Sequence, residues 1–181
     1  HYMGLVELYR TTGDKEFLEI AKMAVAVRDL VKDGSFDNQD ATPLRSHKKI
    51  MGHCVRSTYL YAGVADLYAE TGDEEYRAML DRVWKNGFMQ KTYLNGGNAA
   101  LYTGNSPYGL FPYLNGAKVS FVHQAYGYEY QLPNITAYNE TCGALGSIMW
   151  NLRMFSLDPK AKYFDLIERT MLNLTIASVS L

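Results

Sequence analysis

The stretch Leu8–Asp14, which reads LYRTTGD, is repeated 59 residues later as Leu67–Asp73, which reads LYAETGD. Phe17 and Tyr76 occupy the same position in the two copies. In each copy, apolar residues at helical spacing precede a glycine that can end a helix in the left-handed conformation. The aspartate that follows can cap the next helix by accepting a hydrogen bond from a free backbone N–H. The repeat therefore predicts two helical hairpins, the first of them within residues 1–31.

A third, looser copy follows in the C-terminal part of the chain. Helical spacing runs through Met149–Met154, a turn is expected at Ser156–Pro159, and Tyr163–Thr170 returns as helix. One hairpin cannot bury both of its apolar faces, so stacked copies are typical of an array or a closed ring. A ring of six would need about 350 residues at this period. We predict an all-α fold that supplies part of a larger helical domain and can self-associate through exposed hairpin faces.

Composition and charge exclude several classes of protein. The chain has 181 residues, 48% hydrophobic and 20% charged, which is typical of one globular domain. Its net charge of −1 gives no field that favours nucleic acid or an anionic membrane. No apolar stretch reaches the ~20 residues of a membrane span. Because the chain begins with His1 instead of Met, we expect the native N-terminus to lie upstream, and localisation stays open.

A long stretch without helical period, from Thr92 to Asn139, is rich in tyrosine and contains Glu129 as its only carboxylate. Loops of this length are often functional. Aromatic rings with amide groups nearby suit sugars, because a sugar packs its apolar face on a ring while its hydroxyls bond to polar side chains. Alternatively, the tyrosines only cover the ends of the hairpins. The stretch holds eight of the 15 tyrosines: Tyr93, Tyr102, Tyr108, Tyr113, Tyr126, Tyr128, Tyr130 and Tyr138.

Glu140 and Cys142 place a carboxylate and a thiol two residues apart, where an apolar helix is predicted to begin. With Thr141 or Asn139 as the cap, Cys142 would lie in the first turn, where the helix dipole favours a thiolate. Zinc accepts sulfur and oxygen ligands, so the pair is a candidate half of a zinc site. The alternative is that Cys142 is a small buried apolar residue.

The motif at 52–56, GHCVR, is predicted to open the first helix of the second hairpin. His53 at the start of a helix could bond to a substrate hydroxyl or to a carboxylate. The alternative is a surface histidine at a helix cap. Nothing around Cys54 indicates more than packing.

Together, four motifs resemble glycoside hydrolase family 127, the β-L-arabinofuranosidases, and relatives such as family 146. They are the GHCVR segment, the Thr-Gly-Asp turn, the block Tyr130–Cys142 with its Leu-Pro-Asn and Glu-Thr-Cys elements, and Met149–Met154, which reads MWNLRM. The resemblance runs from about Gln39 to the end of the chain. It implies an (α/α)6 barrel followed by β-sandwich domains, of which residues 1–181 are part of the barrel. It also implies a carbohydrate substrate, such as a plant polysaccharide side chain, cleaved with retention of configuration.

The resemblance further implies a zinc ion held by one glutamate and three cysteines, one of which is the nucleophile. Glu140 and Cys142 match the first two zinc ligands, and His53 matches the active-site histidine. Tyr126 and Tyr138 are expected to contact the sugar. The other two ligands, including the nucleophile, come from a cysteine pair farther downstream than Leu181.

The chain departs from this family at the acid/base position, sixteen residues before the zinc glutamate, where it has Gln124. An amide cannot donate and recover a proton as a carboxylic acid does. Glu129 is the nearby carboxylate that could take over the role, and residues 98–122 could shape a different sugar subsite. A noncatalytic glycan-binding or structural helical domain is the alternative function.

Overall fold

The fold consists of three helical hairpins with two short β-ribbons inserted between the second and the third. A computed structural model of the chain describes residues 1–104, 113–114, 117–118 and 122–179. The helices are α1 (Tyr2–Thr12), α2 (Lys15–Ala26), α3 (Cys54–Thr71), α4 (Glu74–Gln90), α5 (Thr141–Leu157) and α6 (Ala161–Thr170). Short 3₁₀ turns occupy Val27–Leu30 and Leu44–Ser46, and a π-helical turn at Met171–Thr175 follows α6.

The two Gly-Asp turns form as the repeat predicts. Gly13 ends α1 with φ of 73°, and Gly72 ends α3 with φ of 66°. Asp14 accepts a hydrogen bond from the backbone N–H of Glu16 at 2.9 Å, and Asp73 does the same for Glu75 at 3.0 Å. These caps satisfy N–H groups that the first turns of α2 and α4 leave free.

The third hairpin is also confirmed, with α5 ending at Leu157 and α6 beginning two residues earlier than the sequence predicts. The strands are an addition that the sequence analysis did not predict. β1 (Leu101–Gly104) pairs antiparallel with β4 (Val122–Ala125), and β2 (Tyr113–Leu114) pairs antiparallel with β3 (Ala117–Lys118). Much of the expected subsite at 98–122, namely 105–112, 115–116 and 119–121, lies outside the described residues.

Helices α3 and α5 pack closely because two glycines of α5 face α3. A Cβ on Gly143 would lie 3.1 Å from the Cys54 sulfur, and one on Gly146 would lie 2.2 Å from the hydroxyl oxygen of Thr58. The contacts advance in the same direction along both helices, so α3 and α5 run parallel. Their N-terminal ends therefore meet at one edge of the domain.

Aromatic side chains fill the core between α3, α4, α5 and α6. Trp150 of α5 is fully buried, with its ring 5.0 Å from that of Tyr61 on α3 and 5.2 Å from that of Phe88 on α4. The ring of Trp84 lies 4.9 Å from that of Tyr163 on α6, and its indole N–H donates to a side-chain oxygen of α5 at 2.8 Å. Burial of rings of this size contributes much of a domain's apolar stabilisation.

A buried carboxylate joins one helix of each hairpin. The side chain of Asp66 on α3 is 4% exposed and accepts hydrogen bonds from Arg10 of α1 at 3.0 Å and Arg153 of α5 at 2.6 Å. Each carboxylate oxygen has its own guanidinium donor, so the buried charge is paired and hydrogen-bonded. Asp66 thereby fixes the position of all three hairpins.

Apolar side chains are also exposed on the outer helices. None of the helices within the described ranges is long and apolar enough to span a bilayer. The exposed apolar side chains are spread over several helices, which is typical of hairpin faces without a packing partner. They are Ile20, Met23 and Val27 near α2, Phe164 on α6, and Met171, Leu172 and Ile176 beyond it.

We expect Asp66→Asn to lower the free energy of unfolding by about 2 kcal/mol, because two arginines would lose their shared carboxylate. Both arginines are partly exposed, which keeps the loss below that of a fully buried pair. Urea denaturation of the native polypeptide measures the change. Glu7→Gln, which removes an exposed partner of Arg10, is the control and should change stability by less than about 0.5 kcal/mol. An unchanged urea midpoint for Asp66→Asn would contradict this role.

We also expect residues 1–181, expressed alone, to self-associate through the exposed hairpin faces. Size-exclusion chromatography with light scattering should report species larger than the 20.5 kDa monomer. A monodisperse, cooperatively unfolding monomer would show that these faces need no partner.

Candidate active site

The candidate site lies where the N-terminal ends of α3 and α5 meet strand β4. His53 is the residue before α3 and pairs through its backbone with Ala125, the last residue of β4. The backbone N–H of Tyr126 donates to the carbonyl of Gly52 at 3.2 Å, which extends this contact. Glu140, the residue before α5, acts electrostatically on His53. The fold thus brings together residues that are more than 80 positions apart in the chain.

His53 has an unused ring nitrogen in this site. Its Nδ1 is buried and has no hydrogen-bond partner among the described residues. Burial and the nearby Arg56 guanidinium lower the pKa of the imidazole, so the ring is neutral at pH 7. Arg56 itself is held by an ion pair with Asp37. A neutral imidazole with a free nitrogen can hydrogen-bond to a sugar hydroxyl.

Glu140 and Cys142 come together at the start of α5. The Glu140 carboxylate lies beside the Cys142 thiol, and this contact, together with some burial, raises the pKa of the thiol. Without a metal ion, the neighbouring carboxylate therefore disfavours the thiolate that was expected at this helix start. The predicted cap is wrong: Glu140, and neither Thr141 nor Asn139, is the N-cap, and its side chain makes no cap hydrogen bond.

The donors at this point fit half of a zinc site. Glu140 Oε2 is buried without a hydrogen-bond partner, as the oxygen of a metal ligand would be before the metal binds. Cys142 is exposed and has no disulfide. Within the described parts of the chain, no group of three or more His, Cys, Asp or Glu side chains could hold a metal ion. A complete tetrahedral site would need further ligands.

Two asparagines beside α5 were missed by sequence reasoning. Asn98 donates to the hydroxyl of Ser147 on α5, and its side-chain oxygen is buried without a partner close to Gly143. The side-chain oxygen of Asn139 is also buried without a partner, and its backbone has φ of 44°. Buried polar atoms normally have partners, so each of these oxygens has an unused hydrogen-bond acceptor that a water molecule or a ligand can fill. Only their position after folding distinguishes them from other asparagines in the long loop.

Gln124 lies near the same edge and contacts one of the predicted sugar-binding tyrosines. Its amide nitrogen donates to the Tyr138 hydroxyl at 2.9 Å, and its backbone has φ of 51°, which is rare for a residue other than glycine. The ring of Tyr102 lies 5.4 Å from that of Tyr138 and 5.8 Å from that of His123. The geometry forms an aromatic wall with an amide at its base.

Tyr126 occupies a different environment from the one expected. It is 1% exposed and belongs to the main core, and burial raises the pKa of its phenol. The ring has no surface open to a ligand. Its contribution to a sugar pocket stays a prediction that this burial disfavours.

Glu129 forms an ion pair away from the His53–Glu140 pair. Its carboxylate contacts the Lys49 ammonium at 2.8 Å and accepts a hydrogen bond from the Asn86 amide at 2.8 Å. Burial alone would raise its pKa, but these two groups and the nearby Lys91 outweigh burial and lower the pKa to about 2. A carboxylate held ionised in this way is a poor proton donor near neutral pH. The acid/base role expected of Glu129 stays a prediction that this ion pair disfavours.

Glu129 makes a contribution to stability that falls as the pH falls. Its pKa is lowered from 4.5 to about 2 on folding, so the contribution is present above about pH 4.5 and is lost as the pH falls towards 2. We expect Glu129→Gln to destabilise the native polypeptide by about 1 kcal/mol at pH 7 and by less at pH 3. Urea denaturation at several pH values measures the difference. An equal loss at both pH values would contradict the ion pair.

Comparisons with known proteins give a consistent result over the whole chain. The family model of the β-L-arabinofuranosidase GH127 catalytic domain matches residues 1–181. Among curated proteins, the chain is 29% identical over 200 residues to the non-reducing end β-L-arabinofuranosidase of Bifidobacterium longum subsp. longum. This alignment covers 99% of the chain and 28% of that relative.

Solved structures show the same architecture. A glycoside hydrolase that is 44% identical superposes with a TM-score of 0.93, over 99% of this chain and 29% of its own length. A GH127 β-arabinofuranosidase that is 37% identical gives a TM-score of 0.85, over 99% of this chain and 25% of its own. A GH127 β-L-arabinofuranosidase from Geobacillus stearothermophilus T6 that is 25% identical gives a TM-score of 0.84, over 99% of this chain and 28% of its own. The chain spans less than a third of the length of these relatives.

Proposed function

Since the chain belongs to the GH127 β-L-arabinofuranosidase catalytic-domain family, we propose that it is part of a glycoside hydrolase that removes β-L-arabinofuranose-type sugars with retention of configuration. The observation that carries the proposal is the edge where α3 and α5 meet. There a carboxylate and a thiol lie side by side, and the buried atoms His53 Nδ1 and Glu140 Oε2 have no partners among the described residues. These groups can hold a sugar and a metal ion at the same place.

In this proposal, Glu140 and Cys142 supply two zinc ligands, and zinc, when bound, keeps cysteine sulfur deprotonated and nucleophilic. His53 accepts or donates a hydrogen bond to a sugar hydroxyl through its free nitrogen. Tyr138, held by the Gln124 amide, orients its phenol towards the sugar-binding edge. Asn98 and Asn139 offer side-chain oxygens to further hydroxyls. These contacts fix the sugar ring relative to the start of α5.

Gln124 limits the substrates on which such an enzyme can act. Where the leaving group is a sugar or alkyl alcohol, it must be protonated as it departs, and an amide supplies no proton. A leaving group that is already stable as an anion needs no proton. We therefore expect slow cleavage of arabinosides whose alkyl or sugar leaving group must be protonated. Activated aryl arabinosides should be cleaved faster.

A noncatalytic glycan-binding domain is the second candidate. It is favoured by the amide at Gln124 and by the ion-paired, low-pKa state of Glu129. Isothermal titration calorimetry distinguishes the two functions, because an arabinose-containing oligosaccharide that binds without turnover supports the binding domain.

Zinc content tests the metal assignment. We expect the native polypeptide to bind about one zinc per chain and Cys142→Ser to lose it, because a hydroxyl is a much weaker zinc ligand than a thiolate. Cys54→Ser is the matched control, since Cys54 is buried in the core and belongs to no proposed ligand set. Elemental analysis after dialysis measures the zinc. Equal zinc content in both variants, or none in the native polypeptide, would contradict the assignment.

The substitution Gln124→Glu tests whether the site lacks a proton donor. We expect Gln124→Glu to raise cleavage of methyl β-L-arabinofuranoside about 10²- to 10⁴-fold, and to change cleavage of a dinitrophenyl arabinoside much less. Asn134→Asp adds a carboxylate to the exposed loop nearby and serves as the control. Comparing kcat/KM for the two substrates gives the answer. An equal change for both would show that the site lacks no proton donor.

A further inference from the structure

A cavity of about 680 Å³ adjoins the aromatic wall of the candidate site at Tyr102. Its volume is in the range of ligand pockets, about 300–1,000 Å³. Among the described residues, its sides include Tyr102 and Thr103 of β1 and, from the loop after β4, Tyr130, Gln131 and Thr136. The cavity is lined by two tyrosines together with amide and hydroxyl groups, which is the combination that binds sugars.

Both tyrosines of this cavity present their rings to solvent. Tyr102 is 62% exposed and Tyr130 is 70% exposed. Large exposed aromatic rings lining a cavity are typical of a binding surface. Thr136 adds a hydroxyl to the lining, whereas the Thr103 hydroxyl lies 3.2 Å from the Nδ1 of His123, and among the described residues Leu101, Leu132 and Pro133 complete the lining with apolar groups.

Tyr130 is held in an unfavourable backbone conformation. Its φ is 61°, in the left-handed region, where a bulky side chain is rare. Its backbone N–H donates to the carbonyl of Gln90 at 2.8 Å, and the preceding Glu129 is anchored by Lys49 and Asn86. Such conformations persist only where surrounding contacts enforce them, and they cluster at ligand-binding sites. The ion pair of Glu129 thus helps to hold the backbone of Tyr130 in this conformation, in addition to stabilising the fold.

The cavity borders the proposed site for the first sugar through one of its lining residues, Tyr102. The Tyr102 ring packs on the Tyr138 ring at 5.4 Å, and the Tyr138 hydroxyl accepts the Gln124 hydrogen bond. A sugar that contacts Tyr138 on one side would therefore extend its next unit towards Tyr102 and Tyr130.

We propose that Tyr102 and Tyr130 form the subsite for the second sugar of the substrate, with Glu129 as the positioning residue for Tyr130. The ligand that fills both subsites is then an arabinofuranose linked to another sugar, whether or not it is turned over, and a single sugar with a small aglycone leaves the second subsite empty. This inference rests on the proposed function.

Calorimetry on the native polypeptide tests the subsite with two ligands, an arabinofuranose disaccharide and methyl β-L-arabinofuranoside. Tyr130→Gly removes the ring while glycine adopts the same φ without strain, so misfolding is avoided. We expect disaccharide binding to weaken about tenfold, with methyl glycoside binding within about twofold. Tyr128→Ala is the control: Tyr128 is 47% exposed and lies two residues away, but it is not one of the described residues that line the cavity.

Glu129→Gln tests the positioning role through a double-mutant cycle. It should weaken disaccharide binding and spare the methyl glycoside, and it should add nothing once Tyr130 is glycine. Additive losses in the double variant would overturn the positioning role.

Three outcomes separate the subsite from the proposed function. Equal effects of Tyr130→Gly on both ligands, or no effect on the disaccharide, would overturn the subsite even in an active hydrolase. Selective loss of disaccharide binding without any hydrolysis would support the subsite and overturn the hydrolase. Failure of both ligands to bind the unsubstituted polypeptide would overturn both.

Discussion

The candidate site depends on the close parallel contact of α3 with α5. Gly143 and Gly146 permit this contact, because a side chain at Gly146 would collide with Thr58 of the facing helix and one at Gly143 would crowd Cys54 and Asn98. Parallel helices present their N-terminal ends on the same side. The residues that cap these two helices, which are distant in sequence, are thereby forced into one site.

Asp66 fixes the same helix pair at its other end. Its carboxylate takes one guanidinium from α1 and one from α5, so sliding or rotating α3 would separate a buried carboxylate from its partly exposed partners. The glycines set the distance between the helices and the carboxylate sets their register. Such a rigid frame allows polar atoms such as the Glu140 oxygen to stay buried without partners, ready for a ligand.

The hairpins could be predicted because their turns depend on residues close together in the sequence. Contacts between distant segments could not be predicted in this way. Gly13 and Gly72 act within a few residues of themselves, so the turns could be read from the sequence. The proximity of Glu140 and Cys142 followed from their spacing, whereas the cap at Glu140 did not. Asn98 became part of the site only through folding. The resemblance to a family directed attention to Gln124, but the hydrogen bond to Tyr138 required the structure.

The central claim is that the start of α5 and the end of β4 form one metal and sugar site. A crystal structure of the native polypeptide, with anomalous data collected at the zinc edge and an arabinofuranose ligand soaked in, tests it most directly. We expect one anomalous peak bonded to Glu140 and Cys142, with the sugar beside His53. A peak elsewhere, or a sugar bound away from His53, would contradict it.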